Sequence, residues 1–179
     1  MIPHRRTLSD GTALLVRSGI LDDAPAILEY VEAISRETDF LSFGPGEFGC
    51  TLAQERAVIR DYEAADNRLL LVGIVGGSIV GMLTFGGGAR PRNRHTGELG
   101  VSVRKAYWGR GVASALLGIL LEWARASHVI TKVNLRVRTD NTRAIALYQR
   151  KGFIVEGTLS RELRIGDRYY DHYVMGLAI

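Results

Sequence analysis

The residues whose types and spacing lend themselves to chemistry fall in two stretches, 97–126 (GELGVSVRKAYWGRGVASALLGILLEWARA) and 140–153 (DNTRAIALYQRKGF). In the first, Leu99, Val101 and Val103 alternate with Glu98, Gly100 and Ser102, which predicts a strand with one apolar face and one open face. Trp108-Gly109-Arg110-Gly111 follows, after which Ala113, Leu116, Leu117, Leu120 and Ala124 recur at helical spacing. A helix that begins on the second glycine presents unpaired amides and the positive end of its dipole, with Arg110 beside them. The chemistry of that order of residues is anion binding, and small side chains let a phosphate come close. Glu98 shares its face with Gly100 and Ser102, where the chain leaves room for a ligand. It is a candidate proton acceptor, and as a residue type it is equally a surface glutamate. In the second stretch Asn141, Ile145 and Tyr148 are spaced to form one helical stripe. A phenol, with a pKa of about 10, keeps its proton at neutral pH and is suited to donate it. Taken alone, Tyr148 also reads as a core aromatic.

Two familiar phosphate-binding patterns fit the glycine loop badly. A P-loop needs Lys and then Ser or Thr after its last glycine, where Val112, Ala113 and Ser114 stand. A dinucleotide fingerprint wants a third glycine at Ser114 and an acidic residue about 20 positions on, which residues 129–133 do not offer. The run Trp108-Gly109-Arg110-Gly111-Val112-Ala113 instead resembles the acyl-CoA signature Q/R-x-x-G-x-G/A of the GCN5-related N-acetyltransferase superfamily, with Trp in place of Gln or Arg at its first position. Residues 141–153 resemble that superfamily's N-x-x-A-x-x-L-Y-x-x-x-G-F segment at Asn141, Ala144, Leu147, Tyr148, Gly152 and Phe153. The closing segment from Val155 is similar to the ends of the ribosomal-protein and polyamine acetyltransferase branches. The resemblance implies acetyl-CoA as cosubstrate, held by the loop from Trp108 to Ser114 and by Asn141 and Ala144. It also implies a splayed strand at Val101, Ser102 and Val103 whose amide polarises the acetyl carbonyl. Tyr148 would then be the acid, Glu98 the base and His95 the reserve. In that superfamily the connection between the first two helices lines the acceptor site, so Asp39, Phe43 and Glu47 are acceptor candidates by analogy.

The elements that must position these residues are legible in order. Residues 12–18 read as a strand; Asp22 and Asp23 are placed to cap a helix over 24–37. Residues 38–50 form a loop with Phe40, Leu41, Phe43 and Phe48, either a recognition surface or a lid. Thr51 and Gln54 match a capping box that opens a helix to about Ala65. Strands over 68–75 and 78–86 flank the Gly76-Gly77 turn. After the central helix, residues 132–138 alternate, with Val133, Leu135 and Val137 inward and Asn134, Arg136 and Arg138 outward. A helix from Asp140 stops at Lys151-Gly152, and strands over 153–164 and 168–178 turn at Gly166-Asp167.

Length and composition bound the rest. At 179 residues, 46% hydrophobic and 23% charged, the chain has the size of one domain, 1–179. With the resemblance, the expected class is α/β (α+β): an acyl-CoA N-acyltransferase fold with a mixed sheet of about seven strands and about four helices on both faces. Cys50 is the single cysteine, and the start MIPHRRTLSDG lacks the apolar core of a signal peptide, so a cytoplasmic setting is expected. Residues 69–89 carry no charge but hold seven glycines and split at Gly76-Gly77, which fits a hairpin and not a membrane span. The net charge of +4 admits nucleic acid, yet the basic loop at Arg90, Arg92, Arg94 and His95 has no interleaved aromatics. The expected function is acetyl-CoA-dependent transfer to a small amine, a polyamine or a peptide amino terminus, with no metal, nucleic acid or membrane partner. A non-catalytic acyl-CoA-binding module is the alternative. The oligomeric state is left open, a homodimer being one option.

Overall fold

The computed structural model describes residues 3–179; the first two residues of the amino-terminal stretch lie outside them. In chain order the elements are β1 (His4–Thr7), β2 (Ala13–Ser18), α1 (Ala24–Ser35), α2 (Leu52–Ala64), β3 (Arg68–Val75), β4 (Ser78–Gly87), β5 (Thr96–Val103), α3 (Val112–Ala126), β6 (Lys132–Arg138), α4 (Thr142–Arg150), β7 (Ile154–Ile165) and β8 (Arg168–Ala178). The strands form one sheet in the order β1-β2-β3-β4-β5-β6-β8-β7. Only β5 and β6 run parallel; every other neighbour is antiparallel.

Eight strands stand where about seven are expected. The extra one, β1, reads HRRT and has no hydrophobic alternation for a sequence reading to find. It pairs with β2 through its backbone and gives the sheet a short, charged edge. The caps also differ at one end of the chain. Thr51 accepts from the Gln54 amide and Gln54 from the Thr51 amide, the expected capping box. Asp23, by contrast, makes no cap bond to α1; its carboxylate takes two bonds from Arg17 and one from the Ile20 amide.

Period-two alternation divides the sheet into two faces. Leu71, Leu83, Phe85, Leu99, Val133, Leu135 and Met175 turn to the side covered by α3 and α4 and share their core with Leu116, Leu117, Leu120 and Phe153. Leu70, Val72 and Ile79 turn to the other side, against Ile27, Tyr30, Val31 and Ile34 of α1 and Ile59 of α2. The first turn of α3 lies close on β4: a Cβ added to Gly81 would stand 2.7 Å from Val112 Cγ1. That contact seats the amino end of α3 against the sheet where the site forms.

Candidate active site

The site begins with a fault in the sheet. β5 pairs with β4 along residues 97–103 but with β6 only along 96–98, while β6 continues to Arg138 beside β8. Beyond Glu98 the two parallel strands therefore part. Bonds from Arg104 N to Val80 O (2.9 Å) and from Gly88 N to Thr96 O (3.0 Å) fix the phase of the β4–β5 ladder. Even-numbered residues of β5 exchange bonds with β4, and odd-numbered ones face away from it. Val101 and Val103, past the end of the β6 ladder, consequently aim their amides into the opening.

At one mouth of this opening stands the amino end of α3. Gly109 and Gly111 have φ of +78° and +102°, backbone that L side chains rarely adopt, and a Cβ at either would meet nothing within 4 Å. Gly111 is the N-cap and supplies no side chain, so the first amides of α3 have no capping partner. These donors, the helix dipole and the open space before them fit a phosphate group. Opening and loop belong to one cleft of about 1060 Å³ that reaches α1, α2 and α4.

Most predicted residues line that cleft: Glu98, Val101, Ser102, Val103, Trp108, Gly109, Gly111, Val112, Ala113, Ser114, Asn141, Ala144, Tyr148 and Phe43. Four do not. Arg110 is drawn away by Asp10 at 2.9 Å and lies over the Tyr107 ring. Glu47 closes its own turn by accepting from the Gly44 amide at 2.7 Å. Asp39 sits at the edge, 3.3 Å from Arg138, and His95 is exposed on the loop before β5. Within the cleft, the Ser102 hydroxyl is engaged with Tyr30 Oη at 2.9 Å. Trp108 donates its indole N–H to the Val103 carbonyl at 2.7 Å, which ties the loop to the strand end. The α4 stripe is Asn141, Ala144 and Tyr148; Ile145 turns instead toward Val155 and Tyr173. Asn141 Oδ1 caps α4 by accepting from Ala144 N at 3.2 Å.

Tyr148 is 7% exposed, with its ring edge-on to Phe153, and its hydroxyl bonds to no described residue. Burial pushes its pKa up to about 12. It is thus part of the core and part of the cleft wall at once. Glu98 is half-exposed, 3.5 Å from Arg136, which also holds Glu162 at 2.7 Å. Three further residues escaped the sequence reading. Arg138, expected to face outward, is 4% exposed, paired with Asp140 at 2.6 Å and stacked 3.7 Å from the Tyr170 ring centroid. His172 lines the cleft with a sealed, unpartnered Nδ1, and burial pulls its pKa below the usual value against Glu162. Glu55, from the first turn of α2, reaches the same cleft although buried. Among the described residues, no group of three or more His, Cys, Asp or Glu is placed to hold a metal.

Residues 32–153 match the sequence model of the acetyltransferase (GNAT) family. The chain belongs to that family. A GNAT-family acetyltransferase from Streptococcus pneumoniae has the same fold, with a TM-score of 0.90 at 33% identity over 93% of this chain and 99% of that one. The L-amino acid N-acetyltransferase AaaT of Escherichia coli (strain K12) is 35% identical over 105 residues, 59% of this chain and 65% of that protein. The match therefore spans just under two thirds of this relative's length. The protein yncA of Salmonella typhimurium, solved with its cofactor acetyl-CoA, is alike in fold at a TM-score of 0.80 and 22% identity, covering 92% of this chain and 93% of its own. The mixed α/β sheet with helices on both faces is thus the GNAT fold. No helix among the described residues is long and apolar enough to cross a membrane.

Proposed function

We propose that this protein is an acetyl-CoA-dependent N-acetyltransferase that moves an acetyl group directly to a primary amine within a ternary complex. The observation that carries the reading is the parting of β5 from β6 beside the uncapped amino end of α3. Acetyl-CoA supplies the activated thioester. The amides of Gly111 and of the first turn of α3, to Ser114, receive its pyrophosphate, and Arg143, stacked 5.0 Å from the Trp108 ring centroid, stands beside them as a cation. The amides of Val101 and Val103 are donors for the acetyl oxygen.

Two side chains handle protons in this scheme. Glu98 takes the proton of the acceptor amine, directly or through water, while Arg136 holds its carboxylate on the cleft floor. The Tyr148 hydroxyl gives its proton to the departing sulfur. Its raised pKa keeps it in the acid form across the neutral and alkaline range. The lone thiol of Cys50 supports a reducing, cytoplasmic setting, and residues 1–179 act as a single domain on this reading.

The test is release of free thiol from acetyl-CoA against a panel of amines, with thermal stabilisation by acetyl-CoA as its control. Turnover with any amine supports the reading. Stabilisation without thiol release from the whole panel would leave a non-catalytic binding module.

A further inference from the structure

Charges along the cleft cancel over most of its length and fail to cancel at its ends. Arg136 is matched by Glu98 and Glu162, and Arg138 by Asp39 and Asp140. At the α4 end, Arg143 and Arg150 line the cleft without a salt bridge to any described residue, as the phosphates of the proposed cosubstrate require. In the lobe between α1, α2 and the sheet the imbalance has the opposite sign. Glu55 is 4% exposed and forms no ion pair with any described residue. Its one side-chain hydrogen bond comes from the Cys50 thiol, at 3.7 Å. Burial raises its pKa above the ordinary carboxyl value, against a smaller opposing effect of that thiol.

An acid in the first turn of α2 gains from the helix dipole, but less than the burial of an unpaired carboxyl costs. The Thr51 and Gln54 capping box already serves the amino end of α2, so Glu55 is not needed as a cap. The same cleft is lined by Phe43, Phe48, Val58, Tyr62 and Met82, with the two phenylalanine rings 5.1 Å apart. A carboxyl in such a chamber lacks the partner that buried acids ordinarily have, and aromatic walls favour a cation over an anion. The chamber is also set apart from the parting of the strands. α2 packs on β3, and β4 lies between β3 and the amides of Val101 and Val103.

We infer that Glu55 and its aromatic walls bind a second cationic nitrogen of the acceptor, so that the preferred substrate is an amine bearing another positive charge across an apolar spacer. This rests on the acetyl transfer proposed above. The reacting nitrogen lies at the strand opening, and the remote one at Glu55. The remote nitrogen undergoes no chemistry.

The experiment compares putrescine and cadaverine with butylamine and pentylamine, in wild type and in Glu55→Gln, by thiol release and by calorimetry. Wild type should favour each diamine over its matched monoamine at least tenfold in kcat/KM. Glu55→Gln should abolish that preference by raising KM for the diamines, with kcat, the monoamine rates and acetyl-CoA affinity unchanged. Its melting temperature should hold or rise, because an unpaired buried acid is removed. Equal rates for diamine and monoamine in wild type, or a preference that survives in Glu55→Gln, would overturn the inference. If no amine is turned over, the transferase reading fails on its own. Calorimetry then decides the site: diamine binding lost in Glu55→Gln supports it, and no such binding in wild type refutes it.

Discussion

Replacing Tyr148 by Phe separates the acid role from the packing role, because the ring stays and only the hydroxyl goes. The ring is edge-on to Phe153 at 6.0 Å and sits in the core beneath α3, contacts that phenylalanine keeps. The hydroxyl bonds to no described residue, so its loss leaves no partner stranded, and stability should change by less than about 1 kcal/mol. Loss of general acid assistance should lower kcat about a hundredfold, equivalent to about 2.7 kcal/mol of barrier. The raised pKa sharpens the expectation. The phenol acts in its protonated form, and burial extends that form from an ordinary upper limit near 10 to about 12. Wild-type turnover should therefore show no alkaline decline from this group up to pH 10. The assay is thiol release across pH 7–10 for both proteins, with acetyl-CoA affinity by calorimetry and melting by circular dichroism. A variant that melts early yet turns over at the wild-type rate per folded molecule would refute the acid role and leave Tyr148 a core aromatic. An alkaline limb near pH 10 in wild type that vanishes in the variant would refute the argument from burial.

Ser114→Glu places a negative charge in the first turn of α3, which favours the helix by about 0.3–1 kcal/mol but repels a phosphate. Melting temperature should hold or rise while acetyl-CoA affinity falls at least about tenfold, or about 1.4 kcal/mol, by calorimetry. Glu98→Gln should lower kcat/KM about a hundredfold with cosubstrate affinity unchanged; a full rate would move the base role to His172 on the same cleft floor. Arg138→Met removes the guanidinium that bonds the Asp39 carbonyl and the Asp140 carboxylate, and should cost about 1.5–3 kcal/mol in urea unfolding, the range for a hydrogen bond to a charged group. At Asp23, burial alone would raise the pKa, but bonds from Arg17 and the Ile20 amide overcome it and hold it below the usual range. That stabilisation is present above the unfolded carboxyl pKa and fades as pH falls below about 4. Asp23→Asn should thus destabilise the protein at pH 7 and flatten its loss of stability in acid, read from melting temperature against pH.

Features set by neighbours in the chain were legible in advance. The Thr51 and Gln54 cap, the Gly76-Gly77 hairpin, β6 at residues 132–138 and the start of α3 on Gly111 all arise from spacing within a few residues, and all stand where the sequence puts them. The same holds for the two motifs that point to the GNAT family, although the stripe on α4 runs through Ala144 and not through the expected Ile145. The strand state of β1 depends on backbone pairing with β2 and not on a pattern in HRRT.

Side-chain partners were decided elsewhere. Arg110 looks like a phosphate ligand until Asp10, a hundred residues away, takes it. Arg138 obeys the outward phase of β6, yet Phe40, Asp39 and Tyr170 arrive from a loop and another strand to bury it. Nothing in the α2 sequence distinguishes Glu55 from its exposed neighbours; the fold buries it and brings the Cys50 thiol to it. The parting of β5 from β6 has no signature in either strand, since it lies in the register between them. Spacing along the chain specifies seven of the eight strands, the four helices and the two motifs that mark the family. Which charges are cancelled and which are left facing the cleft is settled by packing, because ion pairing depends on distances across the fold while strand and helix periods depend on the chain alone.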